Sequence, residues 1–131
     1  MTGLIPYLHL RGIARQALLF YQSVFGGETE MNTYAEFGRD DGPPDAIAHG
    51  TLQGPVVLFA ADAAEGEPAL RLEGVMFSLL GSAEPAVLER WFARLAEGGT
   101  IIDPLQRRAW GDHDGQVTDG FGVTWLIGYT G

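Results

Sequence analysis

The chain has no cysteine, which excludes disulfides, thiolate zinc sites and a cysteine nucleophile and is compatible with a reducing compartment. Basic residues are scarce: 8 Lys and Arg stand against 17 Asp and Glu, for a formal charge of −9. A nucleic-acid backbone or an anionic membrane surface calls for a basic face, so both are set aside as partners. An acidic chain would instead suit a cationic small ligand. Long apolar runs are missing too: no stretch approaches the roughly 18 consecutive apolar residues that span a bilayer. Met1 to Leu10 alternates rather than passing from a basic segment into a long apolar one, so no signal peptide is read and the expected location is the cytoplasm. Ser23, Ser78 and Ser82 lack the surroundings of a nucleophile elbow.

What is present is enough for one compact core: 46% hydrophobic and 19% charged residues in 131. The pattern predicts a single α+β domain over residues 1–131, built from two modules at about 1–62 and 73–131. Leu4 to Leu10 reads as a strand with a proline near its start. Ile13, Ala17, Phe20, Tyr21, Val24 and Phe25 then fall on one stripe of an amphipathic helix, which Gly26-Gly27 stops. Glu28 to Phe37 reads as a strand and Gly38 to Pro44 as a loop. Ala46 to Gln53 and Val56 to Ala61 read as strands joined by a turn at Gly54-Pro55. Asp62 to Leu72 is the expected connector.

The second half repeats this order. Val75 to Leu80 is an expected strand. Ser82 is the expected N-cap of a helix with Glu84 and Pro85 in its first turn. Val87, Leu88, Trp91, Phe92 and Leu95 form its buried stripe, and Gly98-Gly99 closes it. Thr100 to Trp110, Gly115 to Thr118 and Val123 to Tyr129 supply three more strands. Phe20 matches Phe92 and Gly26-Gly27 matches Gly98-Gly99, both at an offset of 72 (20 to 92, 26 to 98). The expected topology is therefore βαβββ twice, an α+β fold rather than a doubly wound one.

The run from Trp110 through Gly111-Asp112-His113 to Val117-Thr118-Asp119-Gly120-Phe121-Gly122-Val123-Thr124-Trp125 resembles the PhnB-like branch of the vicinal oxygen chelate (glyoxalase/bleomycin resistance/dioxygenase) superfamily. Ile5-Pro6-Tyr7-Leu8, Phe20-Tyr21 and Ala48-His49 resemble it as well, so the similarity covers nearly the whole chain. The resemblance implies a curved mixed sheet from each module, forming a cup around a small-molecule pocket, and a homodimer. Relatives include glyoxalase I, extradiol dioxygenases, fosfomycin-resistance transferases and metal-free bleomycin-binding proteins. The branch sometimes carries a ubiquinone methyltransferase label, which no glycine-rich strand-to-helix loop supports here. Where the family often has an arginine, between Asp119 and Phe121, this chain has Gly120.

Metal-dependent relatives place His or Glu ligands on the first strand of a module and Glu on the last. Those positions fall near Pro6 or Tyr7, near Val75 or Met76, and near Leu126, and a divalent ion needs convergent O or N donors. The usual metal site is thus expected to be absent, and no cofactor is expected. A displaced site using His9, His49 or His113 with Glu36 or Asp119 is the alternative. Ligand-binding candidates are Tyr7, His49, Trp110, His113 and Trp125. His49 is either a histidine bonded within the sheet or a pocket acid/base. Trp110 is either a stacking surface for a planar ligand or a hydrophobic plug. His113, between two aspartates, would tend to hold its proton. Asp119 reads as a residue that bonds the backbone N–H groups of the following turn. Three functions compete: a metal-independent binder of a small aromatic or cationic molecule, a metal-dependent lyase or dioxygenase with displaced ligands, and a structural dimer with a vestigial pocket.

Overall fold

The computed structural model describes residues 3–131. They divide into two compact units, one ending at Leu70 and one running from Arg71 to Gly131. The first unit is built from β1 (Tyr7–Leu10), α1 (Ala14–Phe25), β2 (Glu28–Thr33), β3 (Ile47–Gln53) and β4 (Leu58–Asp62). Its sheet has the order β1-β4-β3-β2, with β1 parallel to β4 and the other pairs antiparallel. The second unit repeats the plan with β5 (Phe77–Leu80), α2 (Pro85–Leu95), β6 (Thr100–Arg107), β7 (His113–Thr118) and β8 (Thr124–Tyr129), in the order β5-β8-β7-β6. Again the first strand pairs in parallel with the last. Two open, mixed four-stranded sheets with one helix each make an α+β fold of two βαβββ modules, as the residue pattern predicts.

Each helix covers one face of its own sheet. In α1 the buried residues are Ala14, Ala17, Leu18, Tyr21, Val24 and Phe25. Against them the sheet buries Leu8, Leu10, Leu52, Leu58 and Ala60, and each such aliphatic side chain removed from water stabilises by roughly 1.5–3 kcal/mol. In α2 the stripe is Leu88, Trp91, Phe92 and Leu95, packed with Val117, Trp125 and Ile127.

The expected N-cap of α2 is corrected. The helix starts at Pro85, its N-cap is Glu84 in an extended conformation (φ −61°, ψ 147°), and no side chain caps it. Proline bars the preceding residue from helical geometry, so the first turn cannot reach back to Ser82. β2 also ends earlier than the alternation implies, at Thr33. There Thr33 Oγ1 accepts the Glu36 N–H at 3.1 Å while Glu36 Oε1 accepts the Thr33 N–H at 2.8 Å, closing a turn in place of more strand. These bonds hold the Glu36 carboxyl below the usual carboxylate range.

The paired glycines have a packing reason. A Cβ on Gly27 would lie 2.4 Å from Gln53 O, and one on Gly99 would lie 2.1 Å from Thr118 O. In both units, then, the second glycine lets the chain leaving the helix pass against the end of the third strand. The matched spacing reflects this shared close approach.

Candidate functional site

Alternation sets which residues each sheet shows on the face away from its helix. In the first unit Tyr7 pairs with Phe59, which also pairs with Thr51. His9 pairs with Ala61, and His49 with Asn32. Tyr7 and His9 are exposed while their neighbours Leu8 and Leu10 are buried under the helix. The open face therefore carries an aromatic cluster. Ring centroids lie 4.9 Å apart for Tyr7 and His9, 5.4 Å for Tyr7 and His49, 5.2 Å for His49 and Phe59, and 5.8 Å for Tyr7 and Phe59. Most of these pairs are edge-on, the arrangement that ring quadrupoles favour.

Tyr7 and His49 are directly bonded, with the phenol oxygen 2.8 Å from Nδ1. Burial pushes the Tyr7 phenol above its ordinary pKa, against the pull of Arg39 and with the help of Glu67 and Tyr34. Two of the residues singled out from the sequence are thus brought together, and His9 and Phe59 join them. From the sequence, Phe59 is a strand aromatic that either fills the core or lines the cup, because its side of the sheet depends on register.

The other three candidates lie in the second unit, in three different settings. Trp110 is 71% exposed, in the turn between β6 and β7. That turn is closed by Arg108 N–H to Asp112 O at 2.7 Å and Gly111 N–H to Arg108 O at 2.9 Å. His113 pairs with Tyr129 across β7 and β8 and shares the parity of Val117, Trp125 and Ile127, which places it on the helix-covered side. Its ring stacks on Tyr129 with centroids 4.7 Å apart. The adjacent Asp114 is engaged not by His113 but by Arg108, at 2.8 Å. Tyr129 donates to Glu89 at 2.6 Å, which holds its phenol above the ordinary range. A cavity of about 260 Å³ opens beside His113 and Tyr129. Trp125 is only 1% exposed, so its ring is core and offers a ligand no surface. Its indole N–H instead donates to Asp119 Oδ2 at 2.9 Å.

Asp119 has the structural role expected of it. It is 3% exposed, and its Oδ1 accepts from Phe121 N–H at 2.8 Å and Val123 N–H at 3.2 Å. A second buried carboxylate, Asp62, which the residue pattern places at the start of the connector, instead ends β4. Its Oδ1 takes the Ala14 N–H at 3.0 Å, at the start of α1, and its Oδ2 takes the Ile47 N–H at 2.8 Å, at the start of β3. Its backbone oxygen accepts the Tyr34 hydroxyl at 2.5 Å. Ile13, the N-cap of α1, has no capping side chain, which is the local signal that a distant group must supply the cap.

The open face of the second sheet shows Gln116, Thr118, Thr124 and Leu126, the residues alternating with the buried ones. With Leu72, Gly74, Val75, Met76 and Ile102, all but Leu126 line a cavity of about 380 Å³ that holds no charged group. Leu126, where metal-binding relatives place a glutamate, is flanked in register by Ser78 and Gln116. Ser78, Gln116 and Leu126 together offer no carboxylate or imidazole. Among the described residues no group of three or more His, Asp or Glu side chains stands close enough to hold one. No helix among them is long and apolar enough to cross a membrane.

Two βαβββ modules of this kind are the fold of a superfamily whose members typically bind small molecules. Residues 11–127 match the model of the Glyoxalase/Bleomycin resistance protein/Dioxygenase superfamily, and the chain belongs to it. It is 31% identical to protein YjdN of Escherichia coli K12 over 95% of this chain and 92% of that one. Among solved structures it is similar to protein PA1353 from Pseudomonas aeruginosa, at 33% identity and a TM-score of 0.80 over 99% of this chain and 98% of that one. The PhnB protein from Bacillus cereus shares the fold at a TM-score of 0.77 and 20% identity, over 98% of each chain.

Proposed function

We propose that this chain is a small-molecule-binding protein that receives a planar aromatic ligand on the open face of its first sheet and works without a divalent metal. The observation that carries the reading is the Tyr7–His9–His49–Phe59 cluster on the open face of the first sheet, whose rings stand 4.9 to 5.4 Å from one another along Tyr7–His9, Tyr7–His49 and His49–Phe59. Aromatic faces supply apolar area and edge-to-face contacts, while His49 and the neighbouring Asn32 supply polar ones. Trp110, exposed in the second unit, is a separate candidate stacking surface there. Kinship supports a homodimer; light scattering is expected to give twice the mass of one chain, and a monomer at working concentration would remove that part.

Two measurements test the core of the reading. Metal analysis of untagged protein is expected to find no stoichiometric divalent ion; a tightly held one would favour the metal-dependent alternative. Thermal-shift screening with planar aromatic compounds is expected to raise the melting temperature, because a ligand selective for the native state adds RT ln(1 + [L]/Kd) of stability. If Tyr7→Ala and His49→Ala respond to every hit as the parent does, the face is not the site.

A further inference from the structure

We infer that the first-sheet face selects ligands whose aromatic ring carries a hydrogen-bond acceptor, a carbonyl oxygen above all, over ligands of the same shape that lack one. This deepens the preceding proposal and rests on it. The starting point is the 2.8 Å bond between the Tyr7 hydroxyl and His49 Nδ1. A phenol is a strong donor and a weak acceptor, and the sp² nitrogen of a neutral imidazole is a strong acceptor. Burial further disfavours loss of the Tyr7 proton. The bond therefore runs from Tyr7 O–H to Nδ1, which puts the single ring proton of neutral His49 on Nε2.

That Nε2–H is available. No group among the described residues bonds it, and His113 Nδ1 is the sole buried ring nitrogen there without a partner, so His49 Nε2 reaches solvent. The ring stands on the open face between Phe59, at 5.2 Å, and Tyr7, at 5.4 Å. A planar ligand against this cluster meets a fixed N–H donor.

The tautomer can be read without any ligand. Long-range ¹H–¹⁵N correlation spectra of the full chain are expected to show His49 protonated at Nε2, and in Tyr7→Phe a mixture of tautomers. A proton on Nδ1 in the parent protein overturns the inference. Selectivity is read with two bicyclic probes of similar size, coumarin and naphthalene, by shifts of the Phe59 and His49 resonances. Coumarin is expected to bind about fivefold or more tighter than naphthalene, the scale of one neutral hydrogen bond. His49→Phe, which keeps an aromatic ring, is expected to abolish that preference while retaining naphthalene binding. Equal binding of the two, or tighter binding of naphthalene, refutes the acceptor rule but leaves an aromatic site. Failure of every probe to shift these resonances at millimolar concentration sinks the binding face itself, and the acceptor rule with it.

Discussion

Replacing Asp119 by alanine tests how the second unit holds its last hairpin. The carboxylate accepts from Phe121 N–H at 2.8 Å, Val123 N–H at 3.2 Å and Trp125 Nε1–H at 2.9 Å. The neighbouring backbone bonds, Asp119 N–H to Val123 O and Gly122 N–H to Asp119 O, are independent of the side chain and survive. Phe121 is half-exposed, so water can take over its N–H. Val123 is 0% and Trp125 1% exposed, so water cannot easily replace the carboxylate at those donors. Leaving a buried donor without its partner costs roughly 1–3 kcal/mol, so two such donors make Asp119→Ala destabilising by about 4 kcal/mol. Asp119→Asn keeps an oxygen for the backbone but turns an NH2 toward the indole N–H, for a loss of about 2 kcal/mol. Urea denaturation measures both; with a slope near 2 kcal/mol per molar, the midpoint for alanine falls by about 2 M. In a Trp125→Phe background the facing indole donor is gone, so Asp119→Asn is expected to cost about 1–2 kcal/mol less than in the parent. A loss below about 1 kcal/mol for Asp119→Ala, or equal costs of Asp119→Asn in both backgrounds, would refute the reasoning.

The first unit has its own buried carboxylate, and Asp62→Ala leaves Ala14 N–H and Ile47 N–H without a partner; a loss of about 3 kcal/mol in the same assay is expected, with α1 the element that exchanges its amides faster. Gly99→Ala, whose Cβ would meet Thr118 O at 2.1 Å, is expected to cost about 2–3 kcal/mol, whereas Gly66→Ala, in open space at φ +83°, costs only about 1 kcal/mol; similar values for the two would discredit the close-approach explanation. The raised Tyr7 pKa predicts a sign as well. Its contribution to stability is complete below the unfolded phenol's pKa near about 10 and is lost as pH rises through the higher folded value. Tyr7→Phe should therefore flatten the alkaline arm of the stability curve, and phenolate absorbance should show Tyr7 ionising late; ionisation at or before the free phenol's pH would contradict it.

The sequence by itself determined the order of elements, the repeat and the kinship, because these rest on local signals. Helical spacing of Leu88, Trp91, Phe92 and Leu95, glycines ending each helix, and the Thr118-to-Trp125 run are all legible within a few residues. Asp119 was readable for the same reason, its backbone partners lying two and four residues away. Only the tertiary structure decided what depends on register and parity. Tyr7 and His49 meet across 42 positions, and Asp62 caps a helix that begins 48 positions earlier. Trp125 reads as a pocket residue in the sequence, but the pairing of β7 with β8 turns its ring into the core, while His113, on the same side, borders a cavity at the end of the sheet. A strand sends alternate side chains to opposite faces, so a one-residue uncertainty in register exchanges core for site, and bulges such as those in β6 and at Asn32/Thr33 are not written in local propensity.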